Sequence, residues 1–150
     1  MAADTPPPAV SASFLVMALG RRLRDVAEER LQAEGIALRH LSALGHLSRD
    51  PGLSYSELAR RAGLTPQSMQ ATLRTLEELG AVHRDTDAGR GRTARLYVTD
   101  TGRELVRAGR SVYDELDGLL RGHLSEAAVI ELLRSFPALT RALDDMGGTG

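Results

Sequence analysis

The chain contains no cysteine, no tryptophan and no lysine among its 150 residues. Without cysteine it has no disulfide, thiolate metal ligand, thiol nucleophile or cysteine-based redox sensor, which agrees with a reducing compartment. It also has no apolar run near the roughly 20 residues that span a bilayer, and no basic and apolar export leader. We therefore expect a single cytoplasmic domain or one two-lobed unit, without a membrane partner and without a cofactor.

Charge is balanced overall but not along the chain. All 19 basic residues are arginine, whose planar forks suit phosphate and guanine edges, although a compositional bias of the genome would give the same result. Residues 54–110 carry 10 arginines against 7 acidic residues, a net charge of +3, and the remainder is acidic. The middle of the chain is thus the part suited to a polyanion, or it is an ordinary solvated surface.

Helical periodicity dominates the first third of the chain. Residues 1–9 contain Pro6, Pro7 and Pro8, which favour a disordered lead. Apolar residues then recur every three or four positions from Val10 to about Glu34, which predicts an amphipathic helix that ends at Gly35. A second helix is predicted from about Leu38 to Ser48.

Residues 54–80 predict two short helices joined by a turn. Ser54 and Glu57 have the spacing of a capping box, and Gly63 suits the turn after a helix end. Thr65 followed by Pro66 then predicts the start of a second helix. Its inner face carries Met69, Leu73, Leu76 and Leu79, and its open face carries Gln67, Ser68, Gln70, Ala71, Arg74 and Thr75.

A hairpin and two more helices are predicted after Gly80. Residues 81–86 and 94–99 alternate like strands, and the glycine-rich loop between them carries Arg90 and Arg92 at its tip. A helix capped near Thr99 should run to about Arg121. A last helix, capped by Ser125, should be interrupted at Pro137.

These elements predict a mainly α fold with a small β-hairpin wing: a winged helix-turn-helix with further helices before and after it. An α-helix fits the major groove of DNA and an arginine-tipped ribbon fits the minor groove. Winged helices also serve as protein-interaction modules without specific DNA binding, so both functions stay open on the fold alone.

The resemblance to a known family rests on Ser54 to Thr65, the Leu76 to Gly80 helix end, Arg84, the Arg92 wing and Val98 to Gly102. These segments resemble the MarR family of bacterial transcription regulators. The resemblance implies a DNA-binding lobe at residues 37–99 and a dimerisation lobe at residues 10–36 and 100–146. It also implies a homodimer on a pseudo-palindromic operator in double-stranded DNA, acting as a repressor released by a small-molecule effector.

The sequence departs from the family pattern at the wing and at the second helix of the helix-turn-helix, which is the recognition helix. Arg90 stands where the family usually has aspartate, so the acidic brace is absent or supplied by Asp87. Gln70, Ala71 and Thr75 occupy positions where the family often has Ser or Thr, Arg and Arg. The operator sequence of other members is therefore not expected to apply.

Candidate roles follow for the arginines and polar groups of this region. Arg92, with Arg90 beside it, is assigned to the minor groove, against the alternative of solvated loop arginines. Base edges are assigned to a polar set consisting of Gln67, Ser68, Gln70 and Arg74. Ser54 and Thr65 either offer helix amides to phosphates or act only as caps. Arg84 either contacts DNA or pairs with Asp85 or Asp87.

Partner surfaces are predicted in the outer helices. Leu15, Leu19, Leu132, Leu139 and Leu143 are expected near a two-fold dimer interface. By the resemblance, an effector pocket would be lined by Met17, Arg21, His40 and Tyr113.

No enzyme motif is present, so no catalytic residue is assigned. The four histidines are scattered without metal-ligand spacing, and no metal site is expected.

Overall fold

The computed structural model describes residues 11–85 and 94–147. They form six helices and three short strands. In chain order these are α1 (Ala12–Ala33), α2 (Leu38–Arg49), β1 (Leu53–Ser54), α3 (Tyr55–Arg61), α4 (Pro66–Glu78), β2 (Val82–Asp85), β3 (Arg95–Val98), α5 (Asp100–His123) and α6 (Glu126–Gly147). The mainly helical winged fold predicted from the sequence is confirmed. The loop with Arg90 and Arg92 lies outside the described residues.

The chain divides into two compact units, Met1–Val112 and Tyr113–Gly150. The first contains the helix-turn-helix, the sheet and the first half of α5, whereas the second contains the end of α5 and α6. Among the described helices, none combines the length and the apolar character that a membrane-spanning segment needs. The proposed division into a DNA-binding lobe and a dimerisation lobe stays a prediction.

A single apolar core holds the first unit together. Helices α2, α3 and α4 pack against one another and against the sheet. Fully buried leucines and one methionine fill this core: Leu44, Leu47, Leu58, Met69, Leu73, Leu76 and Leu96. Burying one such side chain contributes about 1.5 to 3 kcal/mol, so the relative placement of the three helices is determined mainly by these contacts.

The sheet has a strand that periodicity does not predict. Its antiparallel order is β1-β3-β2, and Leu53 faces Leu96 where β1 pairs with β3. Two residues are too short to show an alternating pattern, so β1 depends on its partner strand rather than on local sequence. The pairing anchors the start of α3 to the base of the wing.

Helix ends follow the local signals closely, with one exception. Gly35, Gly63 and Gly80 adopt φ between 63° and 74° after α1, α3 and α4. The predicted interruption at Pro137 is wrong, because α6 continues through it. Proline removes one backbone donor, and the apolar spacing of residues 129–143 on both sides favours a continuous helix.

One glycine allows α5 to approach the base of the wing closely. A Cβ atom at Gly102 would lie 2.2 Å from the carbonyl oxygen of Ala81 and 2.7 Å from a methyl carbon of Val98. A backbone carbonyl cannot rotate away as a side chain can. Gly118, on the same helix, has no atom within 4 Å of such a Cβ among the described residues.

We expect Gly102→Ala to destabilise the chain by roughly 1 to 3 kcal/mol, because the added methyl overpacks this contact. Gly118→Ala is the matched control and should stabilise by about 0.5 to 1 kcal/mol through helix propensity. Thermal unfolding at one fixed protein concentration measures both. Equal effects of the two substitutions would contradict the close packing.

Candidate nucleic-acid interface

Helix α4 has one buried face and one exposed face. Met69, Thr72, Leu73 and Leu76 are buried against the core of the first unit. Gln67, Gln70, Ala71 and Arg74 are exposed on the opposite side. The exposed face that periodicity predicts is therefore present. The packing of the buried face determines which side chains point toward a partner.

The beginning of α4 is held by caps and by one long-range hydrogen bond. Thr65 Oγ1 accepts from the amide of Ser68 at 3.1 Å and donates to Ser68 Oγ at 2.9 Å. Pro66 occupies the first turn, where its missing N–H costs no helical hydrogen bond. The hydroxyl of Tyr55 donates to the carbonyl oxygen of Pro66 and so ties the start of α3 to the start of α4.

The start of α3 has the predicted capping box. Ser54 Oγ accepts from the amide of Glu57 at 3.3 Å, and Glu57 Oε2 accepts from the amide of Ser54 at 2.8 Å. The hydrogen bond from the Ser54 amide, followed by the effect of the Ser54 side chain, lowers the pKa of the exposed Glu57 carboxyl group because it favours the charged form. The capping role of Ser54 is confirmed, and its contact with phosphate stays a prediction.

Several arginines of this region act as structural braces. Arg84 Nε donates to Glu77 Oε1 at 2.9 Å, so Arg84 has a partner on α4 that the sequence did not predict. Arg61 pairs with Asp50, and Arg95 donates to the carbonyl oxygen of Gly52 at 3.0 Å. The Arg84 side chain is still 42% exposed, and the pair links β2 to the C-terminal part of α4.

The exposed face of α4 carries free polar groups. In the described part of the chain, the side chains of Gln67, Gln70 and Arg74 have no hydrogen bond or ion pair. Ser68, by contrast, already bonds to Thr65. Two amides and one guanidinium are therefore available to a partner without breaking an existing contact.

The predicted effector residues occupy three different settings. Met17 and Arg21 are exposed one turn apart on α1, and Tyr113 is half exposed on α5. His40 is buried near the start of α2, with only 4% of its surface exposed. Met17, Arg21 and His40 belong to the first unit and Tyr113 to the second.

His40 carries an unsatisfied buried donor. Its Nδ1 accepts from the amide of Ala37 at 2.9 Å, which places the proton of the neutral ring on Nε2. Within the described residues, this Nε2 is the one buried side-chain nitrogen or oxygen without a hydrogen-bond partner. Burial, followed by the nearby charge of Arg39, lowers the pKa of His40, whereas Glu28 opposes the shift.

Sequence reasoning did not identify the roles of Tyr55 and Glu77. Tyr55 reaches across 11 positions to Pro66, and Glu77 across 7 positions to Arg84. Neither contact has a local signal, because the partner is brought close only by the folded core. Both contacts support α4 and neither side chain belongs to its open face.

No group of three or more metal-ligating side chains occurs in the described residues.

The arrangement of α3, the turn at Gly63, α4 and the strand pair defines a winged helix-turn-helix.

Comparisons with known proteins agree with this class. Residues 34–93 match the family model of the MarR family. The HTH-type transcriptional repressor Rv2887 of Mycobacterium tuberculosis is 34% identical over 126 residues, which cover 84% of this chain and 91% of that protein. This chain therefore belongs to the MarR family of transcription regulators.

Crystal structures of the same relative show the same fold. Rv2887 from M. tuberculosis in complex with DNA aligns with a TM-score of 0.75 at 31% identity, covering 87% of this chain and 98% of that chain. Its complex with salicylic acid aligns with a TM-score of 0.69 at 32% identity, covering 88% and 98%.

The buried, neutral His40 predicts a dependence of stability on pH. Its folded pKa lies below the ordinary 6.5, so on acidification the unfolded chain binds the proton first. This contribution to stability is fully present above about pH 6.5 and is lost as the pH falls toward the lowered pKa.

We expect His40→Gln to flatten the fall in Tm between about pH 7.5 and about pH 5.5. The control His83→Gln changes an exposed residue of β2 and should leave the slope unchanged. If Tm falls with pH at the same slope in His40→Gln and in the unaltered chain, the result would contradict a buried, neutral His40.

Proposed function

We propose that this MarR family member is a homodimeric, ligand-responsive repressor in the cytoplasm that binds a pseudo-palindromic operator in double-stranded DNA. The observation that carries this proposal is the open face of α4, with Gln67, Gln70 and Arg74 unengaged and exposed. Amide and guanidinium groups are those that read base edges in the major groove. The DNA complex of Rv2887 supports this use of the fold.

We assign each predicted contact residue a role at this interface. Gln67, Ser68, Gln70 and Arg74 would meet base edges or adjacent phosphates. Ser54 and Thr65 stand at helix N-termini, whose amides attract phosphate oxygens. Arg90 and Arg92 would enter the neighbouring minor groove. Arg84, paired with Glu77, would add positive potential at the edge of the interface.

Dimerisation is supported by apolar side chains left exposed on the outer helices. Leu15, Leu19, Leu139 and Leu143 are each more than half exposed, and Leu132 is half buried. A single chain rarely leaves so many large apolar side chains exposed along its helices unless another chain covers them. In such a dimer, the two copies of α4 must lie about 34 to 36 Å apart to enter successive major grooves.

An effector site at His40 follows from its unsatisfied Nε2–H. A buried donor without a partner costs free energy, which a bound acceptor would recover. We propose that a small molecule with a carboxylate or carbonyl oxygen binds there, with Met17 and Arg21 of the same unit as further lining residues. The salicylic acid complex of Rv2887 supports this chemistry. Such a ligand would act by favouring a dimer geometry that fits the operator poorly.

The interface proposal predicts a specific loss of operator binding. Arg74→Ala should weaken binding to a selected operator by about tenfold to a hundredfold, because it removes a charged contact in the groove. Arg92→Ala should also weaken binding and lower the salt slope by about 1. The matched control is Arg110→Ala, an exposed arginine of α5, which should leave affinity within a factor of about two.

Fluorescence anisotropy with duplexes from the region flanking the gene measures these affinities at several salt concentrations. A protein-interaction module would show no sequence-selective duplex binding to lose. Equal losses of operator affinity in Arg74→Ala and Arg110→Ala would show that only the net charge of the chain matters. That result would contradict the assigned interface.

A further inference from the structure

The centre of the open face of α4 carries a small apolar side chain. Ala71 is exposed there, with Gln67 and Ser68 at its i−4 and i−3 positions and Arg74 at its i+3 position, and Gln70 lies on the flank of the same face. Positions three and four residues apart are neighbours on a helix surface. A one-carbon side chain among longer ones leaves room for a group of the partner to approach the helix.

The buried face of α4 determines that Ala71 points outward. Successive side chains turn by about 100° around an α-helix. Met69, Thr72, Leu73 and Leu76 are buried, so the direction opposite them lies between Gln67, Ala71 and Arg74. Ala71 is therefore on the line of closest approach of α4 to a ligand, rather than at its edge.

The functional groups around Ala71 have a restricted chemistry. Glu77 is turned to Arg84 at 2.9 Å, and the hydroxyl of Thr75 donates to the carbonyl oxygen of Ala71 at 3.2 Å. The ring of side chains around Ala71, formed by Gln67, Ser68, Gln70 and Arg74, therefore has amide, hydroxyl and guanidinium groups but no carboxylate. The exposed Glu78 lies on the same side of the helix, two turns further along. Carboxylates accept from the amino group of cytosine, whereas glutamine amides pair with adenine and alanine methyls contact the methyl group of thymine.

We propose that each operator half-site contains a T·A pair whose thymine 5-methyl group packs against Ala71. A glutamine of the surrounding ring, Gln67 or Gln70, bonds the adenine of this pair or of its neighbour. The inference rests on the proposed function and names the base that the centre of α4 selects. Ala71 is thus a specificity-determining residue, whereas a more polar side chain there would remove the apolar contact.

Uracil substitution tests the proposal at the level of one methyl group. Uracil pairs with adenine as thymine does and lacks only the 5-methyl group. An operator is first selected from a random duplex pool with the full chain. Each thymine of that operator is then replaced by uracil, one symmetric pair at a time, and affinity is measured by fluorescence anisotropy.

We expect one thymine position to lose about fourfold in affinity per half-site, the value of one buried methyl group, or roughly 16-fold for the symmetric pair. In Ala71→Gly this uracil penalty should disappear, although the variant binds the thymine operator more weakly. The matched control Ala33→Gly changes an exposed alanine of α1 and should keep the full penalty.

The outcomes separate this inference from the proposed function. If no duplex is selected, the proposed function itself fails. If an operator is selected but no uracil lowers affinity, the function stands and the methyl contact is wrong. The methyl contact is also wrong if the uracil penalty persists unchanged in Ala71→Gly, whose folding is checked by its thermal unfolding.

Discussion

The burial of one face of α4 is the constraint on which the rest of the first unit depends. Met69, Leu73 and Leu76 have 1% or less of their surface exposed. Their partners in the core come from α2, α3 and the sheet, so α4 cannot rotate about its axis without exposing them. A rotation by one residue would cost several kcal/mol of apolar burial. The outward direction of Gln67, Ala71 and Arg74 is a consequence of this packing.

Hydrogen bonds then determine where α4 begins and how its ends are supported. Thr65 caps its N-terminus, and Tyr55 connects that end to α3. At the other end, Glu77 and Arg84 connect the helix to β2. Exposed ion pairs contribute little stability individually, so we regard this pair as positioning α4 and the wing strand relative to each other. The close packing of Gly102 against Ala81 and Val98 joins α5 to the base of the wing.

Local sequence signals predicted most of the helices and the open face, because caps, glycine turns and apolar periodicity act over a few residues. Ser54, Thr65 and Gly63 behave as their positions predict. The contacts that local signals did not predict link residues that are distant in the chain. Strand β1 forms by pairing with β3, Arg84 pairs with a residue of another element, and the orphaned Nε2 of His40 depends on what surrounds it in the folded chain. Pro137 shows the opposite error, since a strong local signal is overridden by the apolar spacing of α6.

The central claim is that paired copies of the chain place α4 in successive major grooves, and hydroxyl-radical footprinting on a selected operator tests it most directly. We expect two symmetry-related protected segments on one face of the duplex, with centres about 10 base pairs apart or a multiple of that spacing. A single asymmetric segment, or protection without a fixed spacing, would contradict the claim.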